Sequence, residues 1–341
     1  LTPGVKLMAM VKAFSYGSGG FEIANLLQFH KVDYLAVAYA DEGVELRKAG
    51  ITLPIMVMNV EDATFDVLVQ HNLEPELFSF ELFDTFDNYL QQGGITNFPV
   101  HIKIDTGMKR LGFELYEIET LCTKIKETTS FKIQSVFSHL AASDAAEHDD
   151  FTQQQATIFN EACAQLQQVI SYSFIKHIAN TSAIHRHNEL QYNMVRLGIG
   201  LYGVDNFLQT QLKNVTTLKT TISQLKKIKK GESVGYSRKG ITTTDATIAT
   251  VRIGYADGYP RALSNGKGSM LVNGKLAPVI GNVCMDMTML DVTGIEVKEG
   301  DDVIVFGEDL PVNNLARCVD TITYEILTGI SQRVKRVYFE E

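Results

Sequence analysis

A lysine near the start of the chain is the side chain best suited to covalent chemistry. Lys12 ends an apolar, strand-like segment, residues 6–12 (KLMAMVK). A lysine at the end of such a strand is partly desolvated, which lowers the pKa of its amine and suits it for imine formation with an aldehyde. Position alone does not separate this role from that of a solvated lysine at a strand end.

Two later segments are suited to anion binding. Asn180 and Thr181 lie in residues 178–182 (IANTS), and Gly198 and Ile199 lie in residues 196–200 (RLGIG). The loops after the last two strands of a barrel commonly bind phosphate through backbone N–H groups and hydroxyls. A lysine facing such a site suggests a phosphorylated aldehyde cofactor, and pyridoxal 5'-phosphate is held in this way.

The strands and helices predicted around these residues indicate a (β/α)8 barrel. Alternating apolar and polar residues place Met8, Met10 and Lys12 on one face of the first strand, so Lys12 would point into the mouth of the barrel. An open doubly wound sheet would need a glycine-rich dinucleotide turn, which the sequence lacks. The predicted strands are residues 6–12, 34–39, 55–59, 75–79, 98–105, 132–140, 174–181 and 195–201. Segments of helical period separate them, at residues 21–31, 41–49, 80–91, 114–127 and 150–170.

The pattern changes after residue 203. From residue 216, Thr- and Val-rich segments alternate with glycine turns, which predicts a mostly antiparallel β domain with one short helix near Leu315. We therefore predict a barrel domain over residues 1–210 and a C-terminal β domain over residues 211–341. The junction is expected within residues 204–215.

Composition excludes several classes of function. With 31 basic and 40 acidic residues and a net charge of -9, the chain has no basic run that would bind nucleic acid. No apolar segment approaches the ~20 residues that cross a membrane, and no signal peptide is evident, so a cytoplasmic location is expected. Four widely spaced cysteines predict neither a metal site nor a disulfide framework. Because the chain begins with Leu1, we expect it to be a fragment of a longer polypeptide.

Nine segments, in the same order, resemble the motifs of the alanine racemases, which are pyridoxal-phosphate enzymes with a barrel fold. The first segment departs from the usual motif at Phe14, Ser15 and Ser18, while Thr181 replaces a serine and Leu197 a proline. The segments are MVKAFSYGSG (10–19), KIDTGMKRLGF (103–113), SHLAASD (138–144), HIANTSA (177–183), MVRLGIGLYG (194–203), VGYSRKG (234–240), RIGYADGYPR (252–261), VNGKLAPVIGNVCMDM (272–287) and TITYEILTGISQRV (321–334).

The resemblance implies a role for individual residues. Lys12 would carry the cofactor and act as one acid/base group, while Tyr236, contributed by the other subunit, would act as the second. Arg196 would face the pyridine nitrogen, and His139 would link it to the tyrosine. The implied cofactor-binding residues are Lys12, Tyr16, His139, Asn180, Thr181, Arg196, Gly198, Ile199 and Tyr324.

The substrate side of the site is implied in the same way. Arg110 and Met285 resemble the residues that receive the substrate carboxylate, and Tyr255 resembles a residue of the partner chain that lines the entrance. Lys103 matches a lysine that is carbamylated in some members of the family.

The implied activity is the interconversion of L-alanine and D-alanine, which supplies D-alanine for peptidoglycan. Racemisation requires a proton to leave one face of Cα and return to the other, so two bases must flank a planar intermediate. The implied assembly is a head-to-tail homodimer with shared active sites. Two alternatives remain: an amino-acid decarboxylase of the same build, which usually has an acidic residue at the pyridine nitrogen, and a non-catalytic pyridoxal-phosphate carrier.

Overall fold

The computed structural model describes residues 1–204 and 212–339 and divides the chain into two compact units. The first unit contains Leu1–Ser15 and Gly19–Leu201. The second contains Tyr16–Ser18, Tyr202–Val204 and the residues from Leu212 onward. The predicted domain boundary at 210/211 lies outside the described residues.

The described part of the first unit contains eight parallel strands, which confirms the predicted barrel. β1 pairs with β2 on one side and with β8 on the other. The ring closes where the N–H of Arg196 donates to the carbonyl of Ala179 at 3.0 Å. The strands β1 to β8 are Lys6–Met10, Tyr34–Val37, Ile55–Val57, Glu74–Leu77, Phe98–Lys103, Phe131–Phe137, Ile175–His177 and Met194–Leu197.

Helices follow most strands and bury their apolar faces on the outside of the barrel. Ala9 and Val11 of the first strand region belong to this shared core. Met8 and Met10 are also buried but lie outside that core, as the predicted alternation requires. The helices are Phe21–Phe29, Ala40–Lys48, Phe65–Gln70, Phe80–Gln92, Ile118–Glu127, Asp149–Val169 and Thr181–Arg186.

The first strand ends at Met10, so the prediction that Lys12 belongs to it is wrong. Lys12 opens a turn in which four consecutive residues have φ near +50°, a left-handed conformation that costs roughly 1–2 kcal/mol per residue for side chains other than glycine. The four residues are Ala13, Phe14, Ser15 and Tyr16.

A carboxylate on the second helix holds this turn in place. Glu42 accepts a hydrogen bond from the N–H of Ala13 at 2.6 Å. Its other oxygen accepts from the N–H groups of Ala38 and Tyr39 at 2.7 and 3.2 Å. Because hydrogen bonds to a charged acceptor are the stronger ones, Glu42 offsets part of the backbone strain beside Lys12.

The seventh strand is also shorter than predicted. It ends at His177, and residues 178–180 are not in a strand. The Oδ1 atom of Asn180 accepts from the N–H of Ala183 at 3.1 Å, so Asn180 caps the helix that begins at Thr181.

The described part of the second unit is mostly antiparallel β, as predicted. A six-stranded sheet has the order β14-β13-β16-β9-β12-β15, and β10 pairs with β11 separately. Asn273 and Gly274 have positive φ in the β13–β14 hairpin, as its two-residue turn requires. The strands β9 to β16 are Leu218–Ile228, Ser233–Val234, Gly240–Ile241, Ala246–Val251, Ser269–Val272, Lys275–Pro278, Thr288–Asp291 and Asp302–Phe306.

The described residues of this unit contain two short helices where one was predicted. Val312–Cys318 includes the predicted position of Leu315, and Thr323–Thr328 follows it. Among the described residues of the whole chain, no helix is both long and apolar enough to cross a membrane.

Candidate active site

The Lys12 amine lies near charged side chains from a barrel strand, a helix and a loop of the first unit. Burial is the main cause of the lowered pKa of Lys12, and the positive charge of Arg110 lowers it further. The carboxylates of Glu42 and Glu76 act in the opposite direction. A lysine with a lowered pKa is a better nucleophile towards a carbonyl near neutral pH, so the environment agrees with the role predicted for Lys12.

Arg196 on β8 is buried and held by five contacts. One amino group, Nη1, donates to Nδ1 of His177 at 2.8 Å and to the carbonyl of His177 at 3.3 Å. The other, Nη2, donates to the carbonyls of Ser138 and Ile178 at 2.6 and 3.1 Å and lies 3.3 Å from Nδ1 of His139. The structure therefore contains the predicted contact between Arg196 and His139. Burial lowers the pKa of Arg196 to about 10, which still leaves the guanidinium charged at neutral pH.

His139 is neutral in this environment. Burial lowers the pKa of His139 to about 3, and the charges of Arg196 and Arg110 act in the same direction. Since the guanidinium of Arg196 can only donate, Nδ1 of His139 must accept, which places the ring proton on Nε2. His139 thus presents an N–H on the side away from Arg196.

An aromatic ring that sequence reasoning missed supports these charges. Phe137 ends β6, and its ring stacks on that of His177 with centroids 5.0 Å apart. The guanidinium carbon of Arg196 lies 5.3 Å from the ring centre, and the amine of Lys103 lies 5.5 Å from it. Both cations are placed over an aromatic face, which stabilises charge where water is scarce.

Lys103 pairs with a carboxylate that the sequence analysis did not single out. Its amine lies 3.1 Å from Oε1 of Glu76, and both side chains are buried. Burial raises the pKa of Glu76 to about 7, although the nearby charge of Lys103 opposes the shift. An acidic residue inside the apolar segment PELFS was the sequence signal for this ion pair.

Replacing Glu76 with glutamine is expected to lower the free energy of unfolding by about 3 to 5 kcal/mol, because the Lys103 ammonium would stay buried without its partner. Glu114→Gln is the matched control, since Glu114 pairs with Lys109 at an exposed position. That change should cost less than about 1 kcal/mol. Urea unfolding of both variants measures the difference, and equal losses would contradict a buried charge pair.

The predicted anion-binding residues of the first unit come together. The hydroxyl oxygen of Thr181 accepts from the N–H groups of Gly198 and Gly200 at 3.1 and 3.4 Å. A Cβ at Gly200 would lie 2.7 Å from Cγ2 of Thr181, so this approach requires glycine. The Thr181 hydroxyl keeps its own proton for a further acceptor, as a phosphate oxygen would be. Ile199 lies buried between the two glycines.

Two other predicted cofactor residues belong to the second unit and lie together there. The ring of Tyr16 stacks on that of Tyr202 with centroids 4.7 Å apart, and its centroid is 5.8 Å from that of Tyr324. Burial raises the pKa of Tyr16, so its phenol stays protonated and can donate. Sequence reasoning missed Tyr202, which restricts the ring of Tyr16 by stacking.

An arginine near the end of the described chain fixes the turn after Tyr16. The guanidinium of Arg336 donates to the carbonyl of Gly17 from Nε at 3.1 Å and from Nη2 at 2.8 Å. It also donates to three carbonyls from Ile330 to Val334, at 2.6 to 3.0 Å. Gly17 has φ +79°, and a Cβ there would lie 2.0 Å from the carbonyl oxygen of Leu327, so only glycine fits.

Arg110 is exposed in the first unit, and three other predicted residues lie on exposed turns of the second. Tyr236 is 70% exposed, and Tyr255 and Met285 are also exposed. The Tyr255 and Met285 loops meet through the hydrogen bond from the N–H of Ala256 to the carbonyl of Met285 at 3.0 Å. Asn282 donates to the carbonyl of Tyr236 at 3.1 Å, which ties the Tyr236 turn to the same loop.

The polar groups of the site do not form a metal centre. Within residues 1–204 and 212–339, no group of three or more His, Cys, Asp or Glu side chains could hold a metal ion. An amine, a guanidinium and hydroxyl and N–H donors suit an anionic organic group with a reactive carbonyl instead.

Comparisons with known proteins match both parts of the chain. Residues 1–206 match the family model described as alanine racemase, N-terminal domain, and residues 215–338 match alanine racemase, C-terminal domain. A curated protein of Halothermothrix orenii named alanine racemase is 38% identical over 348 residues, which cover 99% of this chain and 91% of that protein.

Solved structures agree with the sequence comparisons. Alanine racemase of Clostridium difficile 630 superposes with a TM-score of 0.93 at 35% identity, covering 99% of this chain and 90% of that chain. Alanine racemase of Bartonella henselae, solved with covalently bound pyridoxal phosphate, superposes with a TM-score of 0.90 at 31% identity. That match covers 99% of this chain and 93% of the other.

Proposed function

Because the chain belongs to the alanine racemase family and is thus an isomerase acting on amino acids, we propose that it interconverts L-alanine and D-alanine with pyridoxal 5'-phosphate. The two acid/base groups are Lys12 of one subunit and Tyr236 of the partner subunit, in a head-to-tail homodimer. The product D-alanine supplies peptidoglycan synthesis in the cytoplasm. The observation that carries the proposal is the half-buried Lys12 amine with its lowered pKa on the same barrel as the buried guanidinium of Arg196.

The residues present fit pyridoxal phosphate. The Lys12 amine suits the aldehyde, and the Thr181 hydroxyl, with the backbone N–H groups of Gly198 and Ile199 that the resemblance implies, suits the phosphate. Tyr16 and Tyr324, whose ring centroids are 5.8 Å apart, are the phenol donors that the family resemblance implies for the phosphate. Arg196 suits the pyridine nitrogen, which is an acceptor when it carries no proton. The Bartonella henselae relative, which has pyridoxal phosphate bound covalently, supports the same cofactor.

When bound, pyridoxal phosphate supplies an electron sink that makes the Cα–H bond of an attached amino acid acidic. Arg196 limits how strong that sink becomes, because a guanidinium held by His177 and three carbonyls is a poor proton donor to the ring nitrogen. We infer that this restricts the enzyme to proton transfer at Cα and suppresses side reactions such as transamination. A decarboxylase of this build usually has an acid at the same place.

Two proton carriers on opposite faces complete the reaction. Lys12 holds or releases a proton at its Nζ on one face, and the phenol of Tyr236 does so on the other. A phenol needs a neighbouring cation or hydrogen-bond donor to accept a proton from carbon near neutral pH. His139 can provide that link, since its Nδ1 contacts Arg196 and its Nε2 carries a proton. Arg110 and Met285 receive the substrate carboxylate, and Tyr255 of the partner subunit lines the entrance.

Solvent exchange at Cα tests the proposal directly. L-alanine and D-alanine are incubated separately with the holoenzyme in D2O, and NMR and chiral chromatography follow deuterium and configuration. We expect deuterium at Cα together with inversion from both enantiomers. Release of carbon dioxide would indicate the decarboxylase, and bound cofactor without exchange would indicate a carrier.

We further propose that Lys103 carries an unmodified amine in this protein. A carbamate on Lys103 would place a second anion beside the buried carboxylate of Glu76, whereas the ammonium pairs with it at 3.1 Å. In 13C NMR spectra recorded with labelled bicarbonate, the native protein should show no carbamate resonance. Glu76→Gln removes the competing carboxylate and is the control in which a carbamate could form. A carbamate signal in the native protein would overturn this proposal.

A further inference from the structure

A continuous chain of buried polar side chains runs from Arg196 into the interior of the barrel. Nη1 of Arg196 contacts Nδ1 of His177 at 2.8 Å, and Nε2 of His177 contacts Oγ of Ser135 at 2.9 Å. Ser135 contacts Nδ1 of His101 at 2.6 Å, and Nε2 of His101 contacts the carboxylate of Glu74 at 2.9 Å. Four neighbouring strands, β4 to β7, contribute one residue each.

The chemistry of the two end groups, Arg196 and Glu74, sets the direction of the hydrogen bonds between them. A guanidinium only donates, so Nδ1 of His177 accepts and its proton lies on Nε2. The hydroxyl of Ser135 then accepts from His177, and its own proton is left for Nδ1 of His101. Nε2 of His101 donates to the carboxylate of Glu74. The hydrogen bonds therefore run from Arg196 towards Glu74.

These polar groups are buried, although the interior of such a barrel is filled mostly by apolar side chains. His101, Ser135 and His177 have no exposed surface, and the Glu74 side chain is 12% exposed. Buried polar groups cost free energy unless all are paired, and a half-paired network is worse than an apolar one. Burial and the nearby Glu74 carboxylate both raise the pKa of Tyr34, whose phenol also hydrogen-bonds to Glu74. The catalytic steps proposed above use none of His101, Ser135 and Glu74.

We propose that Glu74, His101 and Ser135 are positioning residues for Arg196, because they hold the His177 ring with its Nδ1 towards Nη1. This rests on the proposed function of Arg196 at the pyridine nitrogen. Without its acceptor at Ser135, the Nε2–H of His177 would be buried without a partner, and the ring would turn towards another acceptor. Nδ1 would then leave Nη1, and the guanidinium would turn away from the orientation in which it meets the pyridine ring.

Nitrogen NMR of histidine-labelled holoenzyme reports the hydrogen bonds of the His177 ring nitrogens without measuring activity. In the native protein, Nδ1 of His177 should give the resonance of an unprotonated ring nitrogen and Nε2 that of a protonated one. Ser135→Ala interrupts the chain, and Glu74→Gln replaces its acceptor end with an amide that can also donate. In both variants we expect the Nε2 resonance of His177 to shift, because its hydrogen bond to Ser135 is lost or loosened. Ser135→Thr keeps the hydroxyl and should keep the native pattern.

Kinetics of the same variants separate positioning from a general loss of structure. We expect Ser135→Ala and Glu74→Gln to lower kcat about tenfold, the effect of one misplaced buried hydrogen bond, with KM for alanine changed less than about twofold. Ser130→Ala, a buried serine outside the chain, is the matched control and should leave kcat and the His177 resonances unchanged.

Two results would overturn the positioning proposal: His177 ring-nitrogen resonances that stay native in both Ser135→Ala and Glu74→Gln, or changed resonances with unchanged kcat. Failure of the proposed function is seen separately, as native holoenzyme that does not convert alanine. The NMR experiment answers the positioning question in either case, because it reads the side chain and not the product.

Discussion

Replacing Lys12 with alanine should abolish both the covalent attachment of pyridoxal phosphate and alanine racemisation. The variant loses the only group proposed to bind the cofactor aldehyde and one of the two proton carriers, so turnover should fall about 10⁴-fold or more. The visible absorbance of the lysine-linked cofactor should disappear, and borohydride reduction should no longer fix cofactor to the protein. Absorbance, mass spectrometry and a racemisation assay measure the three effects.

Lys12→Arg is the matched control for this experiment. It keeps a positive charge beside Arg110 and Glu76 but offers no amine that condenses with an aldehyde near neutral pH. It should therefore be as inactive as Lys12→Ala. A small primary amine added to Lys12→Ala should restore part of the activity. If Lys12→Arg retained native activity, the covalent role of Lys12 would be wrong.

Replacing Tyr236 with phenylalanine should keep the cofactor bound and slow racemisation about 10²- to 10⁴-fold. L-alanine and D-alanine have equal free energies, so kcat/KM must fall equally in the two directions. The asymmetry appears in hydrogen exchange. The enantiomer whose Cα–H faces Lys12 should still exchange with solvent while keeping its configuration, and the other should exchange far more slowly.

Proton NMR of each enantiomer in D2O measures these exchange rates. Tyr116→Phe is the control, because Tyr116 is an even more exposed tyrosine in a 3-10 turn of the barrel unit, outside the proposed site. It should behave as native protein. Equal exchange from both enantiomers in Tyr236→Phe would show that its phenol is not the second proton carrier.

Much of the fold could be predicted because strands and helices bury apolar faces with different periods. The eight barrel strands and the antiparallel second part were all found at about their predicted places. Strand ends were less accurate. Nothing in KAFSY indicates four left-handed residues, since Ala13 and Phe14 rarely adopt positive φ, and contacts from Glu42 far along the chain are needed to hold them.

The candidate site was predictable only where its residues follow one another in recognisable motifs. His139, Thr181 and Arg196 were identified in this way, and the structure shows the contacts of each. Glu76 and the chain from Glu74 to His177 were missed because each strand carries more than one polar residue, and the sequence does not show which of them face one another. Their partners lie on neighbouring strands, so the pairing depends on a register that the sequence does not reveal.

The bonds of Arg336 have a practical consequence for protein engineering. Tails are usually the safest places to trim or to fuse a tag, because few backbone groups depend on them. Here a truncation that removes Arg336 would leave the carbonyl of Gly17 and three others without their shared donor. Versions of the protein that lack Arg336 are therefore poor starting points for crystallisation. A removable tag beyond residue 339 leaves the hydrogen bonds of Arg336 intact.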